Sequence, residues 1–271
     1  SSQGYAWGYI GSCVPFVLCL VIVLGSDTLG IRMETAMGIA FVLVAVWWLL
    51  MSLPLLKNYE QKYYVEKKPH AIAQSFKRLG ETFKNMKEEK QVFMFLLAFF
   101  FYIDGVYTII DMATAYGSAL GLDSTGLLLA LLVTQIVAFP CAIIFGNLSY
   151  RIRTEKLIIV CIVAYLGIAI FAVFLKTQLQ FWILAILVGM FQGGIQALSR
   201  SYFTKIIPEE HSGEYFGLMD ICGKGASFVG TTIVSIVSQL TGNISMGVGM
   251  IAILFCIGIL IFLKAVSMNR N

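Results

Sequence analysis

Residues Val92 to Ala115 read VFMFLLAFFFYIDGVYTIIDMATA, and this stretch decides the fold. A helix crossing the bilayer hydrocarbon needs roughly 20 mostly apolar residues, which this run supplies without a break. Strands of a membrane barrel would instead alternate polar and apolar residues, and backbone groups in lipid need partners within the same segment or a closed sheet. Working outward, seven further runs of the same kind appear: Gly8 to Leu24, Ala36 to Leu56, Leu127 to Gly146, Leu157 to Leu175, Phe181 to Ser199, Tyr215 to Leu240 and Ser245 to Val266. Of 271 residues, 59% are apolar and only 13% are charged, which excludes an ordinary water-soluble domain. The expectation is an all-α polytopic membrane protein with about eight transmembrane helices.

Residues 1–7 carry no Lys or Arg and no small-x-small cleavage pattern follows, so the first run reads as a mature span and not a signal peptide. Basic residues in short loops stay on the cytoplasmic side. Placing Lys57 to Gln91 in the cytoplasm and alternating puts every Lys and Arg there except Arg32, Lys176 and the intramembrane Lys224. The net charge of +4 therefore follows topology and does not imply a nucleic-acid partner. The chain divides into two spans over residues 1–56, a basic cytoplasmic connection over 57–91, and six closely connected spans over 92–271. Within the connection, Ile72, Phe76, Leu79, Phe83 and Met86 recur at helical spacing between basic residues, as in an amphipathic helix lying on the membrane surface. A solvated linker is the alternative.

Ionisable and amide groups inside spans are costly, which makes them candidates for function. Asp104, Tyr107, Thr108 and Asp111 form one stripe on the Val92–Ala115 span, suited to substrate or proton contact or to hydrogen bonding between helices. Asp220 and Lys224 stand at i and i+4, so they can neutralise each other within one helix, as a structural pair or a substrate contact. Gln192, Gln196 and Ser199 share a face; the glutamines could read a polar solute or act as packing contacts. Gly189 and Gly193 make a G-x-x-x-G surface for close helix approach. Arg200, at the cytoplasmic end, is expected to make an inner-gate contact with Glu214. Pro140 interrupts the fourth span and can kink it.

Catalytic constellations are wanting. Gly223-Lys224-Gly225 lacks the spacing and the Ser or Thr of a P-loop, and His70 and His211 stand far apart without partners of a catalytic motif. Cys13, Cys19, Cys141, Cys161, Cys222 and Cys256 all fall in spans and read as small apolar packers, not as disulfides or metal ligands. The expectation is a non-enzyme with no cofactor or metal.

Six spans after a long basic connection are laid out as in the second half of a major facilitator superfamily transporter. Gly146-Asn-Leu-Ser-Tyr-Arg151-Ile-Arg153 resembles that superfamily's loop signature between the second and third helices of a half, although its aspartate is absent. Gln192-Gly-Gly-Ile-Gln-Ala-Leu-Ser-Arg-Ser201, Phe101-Tyr-Ile-Asp-Gly-Val-Tyr-Thr108 and Gly4-Tyr-Ala-Trp-Gly-Tyr9 are similar to the vacuole effluxer-like branch, which includes fungal vacuolar amino-acid exporters and bacterial permeases of undefined substrate. The resemblance covers essentially the whole chain and implies a twelve-span fold entered at the fifth span. It further implies rocker-switch transport of a small polar solute, amino acids among the candidates and protons as a possible coupling ion. Gly146, Arg151, Arg153, Arg200 and Glu214 would serve gating. Two helices of a first half cannot enclose a central site alone, so N-terminal helices or a second chain would be required. The membrane would be the bacterial inner membrane or a vacuolar one. A packing-only assembly subunit is the rival expectation.

Overall fold

A computed structural model describes residues 2–60, 80, 89–209 and 212–268. The amphipathic pattern from Ile72 to Met86 lies outside the described residues. Among the described residues, eight helices are long and apolar enough to cross a membrane: α1 (Ser2–Leu24), α2 (Met33–Asn58), α3 (Lys90–Ala119), α4 (Ser124–Leu148), α5 (Thr154–Val173), α6 (Gln178–Ile206), α7 (Ser212–Thr241) and α8 (Ile244–Met268). Together they make an all-helical integral membrane protein. The helices extend past their apolar cores at one or both ends, since polar residues that leave the hydrocarbon can continue the helix toward water. The fifth stops at Val173, two residues short of Leu175.

Short turns fix the order of the later helices. Gly121 and Gly242 adopt positive φ values of 75° and 66° after the ends of α3 and α7, the left-handed conformation that stops a helix with little steric cost in glycine. At the start of α4, Asp123 accepts a hydrogen bond from the Gly126 amide at 2.7 Å. Thr177 and Gln180 form a reciprocal capping box at the start of α6. Pro140 sits within an otherwise continuous α4.

Helix α3 is the hub of the bundle. It packs on α7 and α8, while α4 packs on α6 and α1, and α5 bridges α6 and α8. Around Phe95 the rings of Tyr202, Phe203 and Phe262 approach to centroid distances of 5.2, 5.5 and 6.1 Å, and the Tyr102 hydroxyl bonds Ser199 Oγ at 2.7 Å. That cluster combines a stacked pair with Phe203, a tilted one with Tyr202 and an edge-on one with Phe262, which favours one packing arrangement over a fluid one. In the spans of α3 and α6, 61% of the most apolar window is buried; in α2 none is, and α2 touches the bundle chiefly through α1.

Small residues make the closest approaches, as expected where lipid offers no hydrophobic drive for helix association. A methyl group on Gly189 would sit 2.6 Å from the Thr134 carbonyl oxygen, and one on Gly193 2.8 Å from the Ala142 Cβ, so the G-x-x-x-G face is the α4–α6 contact. Gly258 lies equally tight against the Tyr102 backbone. Gly189→Val is expected to destabilise the protein by about 1–3 kcal/mol, because the opposing atom is backbone and cannot rotate away. Thermal unfolding in detergent measures it; a variant that unfolds like the parent would show that α4 and α6 separate at little cost.

Candidate translocation site

The polar groups inside the bundle sort into two places, separated by one step around α3. Phe99, Ile103 and Tyr107, spaced by four, face a small cavity of about 90 Å³ shared with Met219, Asp220 and Lys224 of α7. The next residue along, Asp104, is rotated by about 100° on a helix of 3.6 residues per turn. It therefore points elsewhere, into the α3–α7 seam, where it is fully buried.

The small cavity adjoins a larger one of about 620 Å³ across Tyr5, Gln196 and Arg200, which line both. The larger space lies between α1 and the α4–α6 pair: Tyr5, Tyr9 and Ser12 come from α1, Gln135 from α4, Gln196 and Arg200 from α6. Gly4 and Gly8, both exposed, form part of its rim. Tyr9 donates a hydrogen bond to Gln196 Oε1 at 3.3 Å, tying α1 to α6 across the chamber. Tyr5, Tyr9 and Ser12 were not singled out from sequence. Their spacing at i, i+4 and i+7 in an apolar span was the available signal.

Arg200 anchors the chamber's electrostatics. Its Nη1 lies 3.5 Å from Asp220 Oδ1, and its guanidinium carbon stands 4.7 Å from the centre of the Phe216 ring. Both partners of the ion pair are substantially open, with side-chain exposures of 41% and 57%, so the pair faces the chamber and can exchange partners. One sequence expectation is corrected here. Asp220 is paired across helices with Arg200 and not within α7 with Lys224. Arg200 sits six residues before the end of α6, which lets its fork reach α7, and a planar fork binds a carboxylate better than an ammonium does. Lys224 lines the same cavity and makes no ion pair among the described residues.

Asp104, Thr108 and Asp111 leave the chamber stripe. Asp104 Oδ1 accepts from the Gly230 amide at 2.8 Å and from Thr108 Oγ1 at 3.3 Å, while Oδ2 is buried with no hydrogen-bond partner. Gly230 is where the carboxylate fits, since a methyl group there would collide with Asp104 and Thr108. Further along the seam, Ser227 Oγ donates to Asp111 Oδ2 at 2.6 Å. Gln192 also misses the chamber: it is buried beside an apolar pocket formed with Ile109 and Leu184, and its Oε1 has no partner.

The loop residues stand apart from both. A methyl group on Gly146 would meet Ser2 Cβ at 2.6 Å, so this glycine admits the start of α1. Arg151 and Arg153 line a separate cavity at the α4–α5 turn, and Arg153 pairs with Glu155 at 3.3 Å. Glu214 begins α7 in its first turn.

Eight helices fit to cross a membrane, with polar side chains of α1, α6 and α7 lining cavities between them, define the class, a polytopic α-helical membrane protein. The chain belongs to the vacuole effluxer Atg22-like family, which matches residues 1–271. It is 46% identical over 263 residues to YxiO of Bacillus subtilis, named an uncharacterized MFS-type transporter, in an alignment covering 96% of this chain and 61% of that protein. Autophagy-related protein 22 of Cryptococcus neoformans is 25% identical, over 91% of this chain and 46% of its own length. The Botryotinia fuckeliana protein of the same name is 26% identical, over 96% and 48%. The chain thus spans about half to three-fifths of the length of these relatives.

Proposed function

We propose that this chain supplies part of a secondary transporter for a small polar solute, with the Arg200–Asp220 pair as the charged element of its substrate chamber. The observation that carries the reading is an exposed, cross-helix ion pair at the wall of a cavity between helices, inside a bundle whose exterior is apolar. Charges are retained within membrane spans where they serve a pathway. A solute bearing a carboxylate can take the place of Asp220 at Arg200, and its amine can meet the released Asp220; amino acids, the class implied by the family resemblance, carry both groups.

In this reading residues 92–271 form one six-helix half, residues 1–56 contribute two helices of the other, and residues 57–91 connect them on the cytoplasmic side. Alternating access then moves α1 and its neighbours against α4, α6 and α7 around the chamber. Further membrane helices, from the same polypeptide or a second one, complete the enclosure. The bacterial plasma membrane is the favoured location, given 46% identity to a Bacillus protein against 25–26% to the fungal ones.

Asp104 takes the part of a proton-responsive fastener. An ionised carboxylate accepts hydrogen bonds more strongly than a neutral acid, so proton occupancy there alters the hold of α3 on Gly230 of α7. The test is counterflow of labelled amino acids into proteoliposomes holding the native full-length protein, with and without an imposed pH gradient. Saturable counterflow that the gradient accelerates is expected. A folded protein that exchanges no amino acid would remove this solute class, and one that exchanges no small polar solute would favour a packing role.

A further inference from the structure

The cavity at the α4–α5 turn is remote in character from the chamber. About 590 Å³ in volume, it lies where the start of α3, the end of α4, the start of α5 and the end of α6 come together. Those four ends share one face of the bundle, the face to which the charge pattern assigns the basic loops. Three cations, Arg151, Arg153 and Lys205, enter its wall against one carboxylate, Glu155. Arg153 engages that carboxylate at 3.3 Å, and Lys205 Nζ donates to Thr154 Oγ1 at 3.2 Å. Arg151 makes no ion pair among the described residues.

Donors outnumber acceptors in the same place. Gln91 Nε2 donates to the Tyr202 oxygen at 3.3 Å, which leaves the phenolic proton of Tyr202 to be given elsewhere. No side chain caps the start of α5; the Lys156 amide donates to the Arg153 carbonyl at 3.0 Å, and the Thr154 and Glu155 amides keep their hydrogen-bonding capacity. At the rim, Tyr150 is 90% exposed and Ile152 is exposed beside it, directly after a membrane span. Aromatic residues at that height sit among lipid headgroups.

A cationic cavity with surplus donors suits a tetrahedral oxyanion, and the exposed Tyr150 and Ile152 suit an apolar chain attached to it. We propose that this cavity binds the phosphate of an anionic phospholipid from the adjoining leaflet. Arg151 and Lys205 hold the phosphate oxygens, and Tyr150 and Ile152 lie along the glycerol and acyl region. A free phosphate ion would gain nothing from that rim. The inference does not depend on the chamber being a transport path.

Thermal unfolding of the purified full-length protein, titrated with phosphatidylglycerol, phosphatidylcholine or inorganic phosphate, tests it. Phosphatidylglycerol is expected to raise the unfolding temperature saturably where phosphatidylcholine does not. In the Arg151→Gln, Lys205→Gln double variant the half-saturating concentration should rise roughly tenfold, since each basic group near an anionic surface contributes to such binding; Lys264→Gln, which removes one positive charge from α8 away from the cavity, should leave it unchanged. Should the double variant not fold, the lipid carried by the native protein through purification decides, with enrichment of anionic phospholipid over phosphatidylcholine expected. Equal effects or equal retention of the two lipids would overturn the proposal, as would inorganic phosphate stabilising the protein as well as phosphatidylglycerol does.

Discussion

Arg200→Gln is expected to lower solute affinity in the transporter by roughly 10- to 100-fold, the equivalent of losing a charged hydrogen bond of about 1.5–3 kcal/mol. Glutamine retains a donor but neither the charge nor the reach by which Arg200 meets Asp220 from α6. The cost falls on function more than on folding, because both partners are open to the chamber and exposed ion pairs contribute little to stability. Arg200→Lys should recover part of the affinity, its ammonium being unable to stack on Phe216 as the guanidinium does. Direct binding or half-saturation of counterflow measures the change. Unaltered affinity in Arg200→Gln would take the ion pair out of solute recognition.

Asp104 separates coupling from assembly. Asp104→Asn keeps an oxygen that can accept from the Gly230 amide, so the α3–α7 seam should form and the protein should insert and fold. What it loses is the capacity to change protonation, and acceleration of transport by an imposed pH gradient should vanish while counterflow without a gradient persists. Asp104→Ala removes the acceptor as well and should destabilise the protein by about 1–3 kcal/mol, since it breaks a buried contact and leaves space behind it. Gradient-driven transport in Asp104→Asn equal to that of the parent would remove this residue from coupling and leave it as packing alone.

The helices were legible because lipid demands long apolar runs, and a run such as Val92 to Ala115 admits no other regular structure at that depth. The G-x-x-x-G pair was legible for a similar reason: close approach in a membrane depends on missing side chains, which sequence displays directly. The partition of polar groups was not. Asp104, Tyr107, Thr108 and Asp111 make one stripe on a helical projection, yet α7 covers one edge of it and the chamber the other, and spacing within α3 carries no record of where a neighbour begins. Asp220 shows the same limit. An i,i+4 partner in Lys224 was visible in sequence, whereas the cross-helix partner Arg200 depends on how α6 and α7 lie against each other. The α1 face of Tyr5, Tyr9 and Ser12 could have been found from its spacing, but an apolar span with three scattered hydroxyls differs little from ordinary packing until the opposing wall is known.

The central claim is that water reaches the chamber wall of α1 and α6 and not the buried Asp104–Thr108–Gly230 contact between α3 and α7. Single cysteines at Ser12, Gln196 and Thr108, each introduced after replacing the six native cysteines, can be exposed to a charged, membrane-impermeant thiol reagent in sealed vesicles. Ser12→Cys and Gln196→Cys are expected to react, and more slowly when transported solute is present; Thr108→Cys, buried against Gly230, is expected to stay unmodified. Failure of both chamber positions to react, or reaction at Thr108→Cys as fast as at Gln196→Cys, would contradict the account.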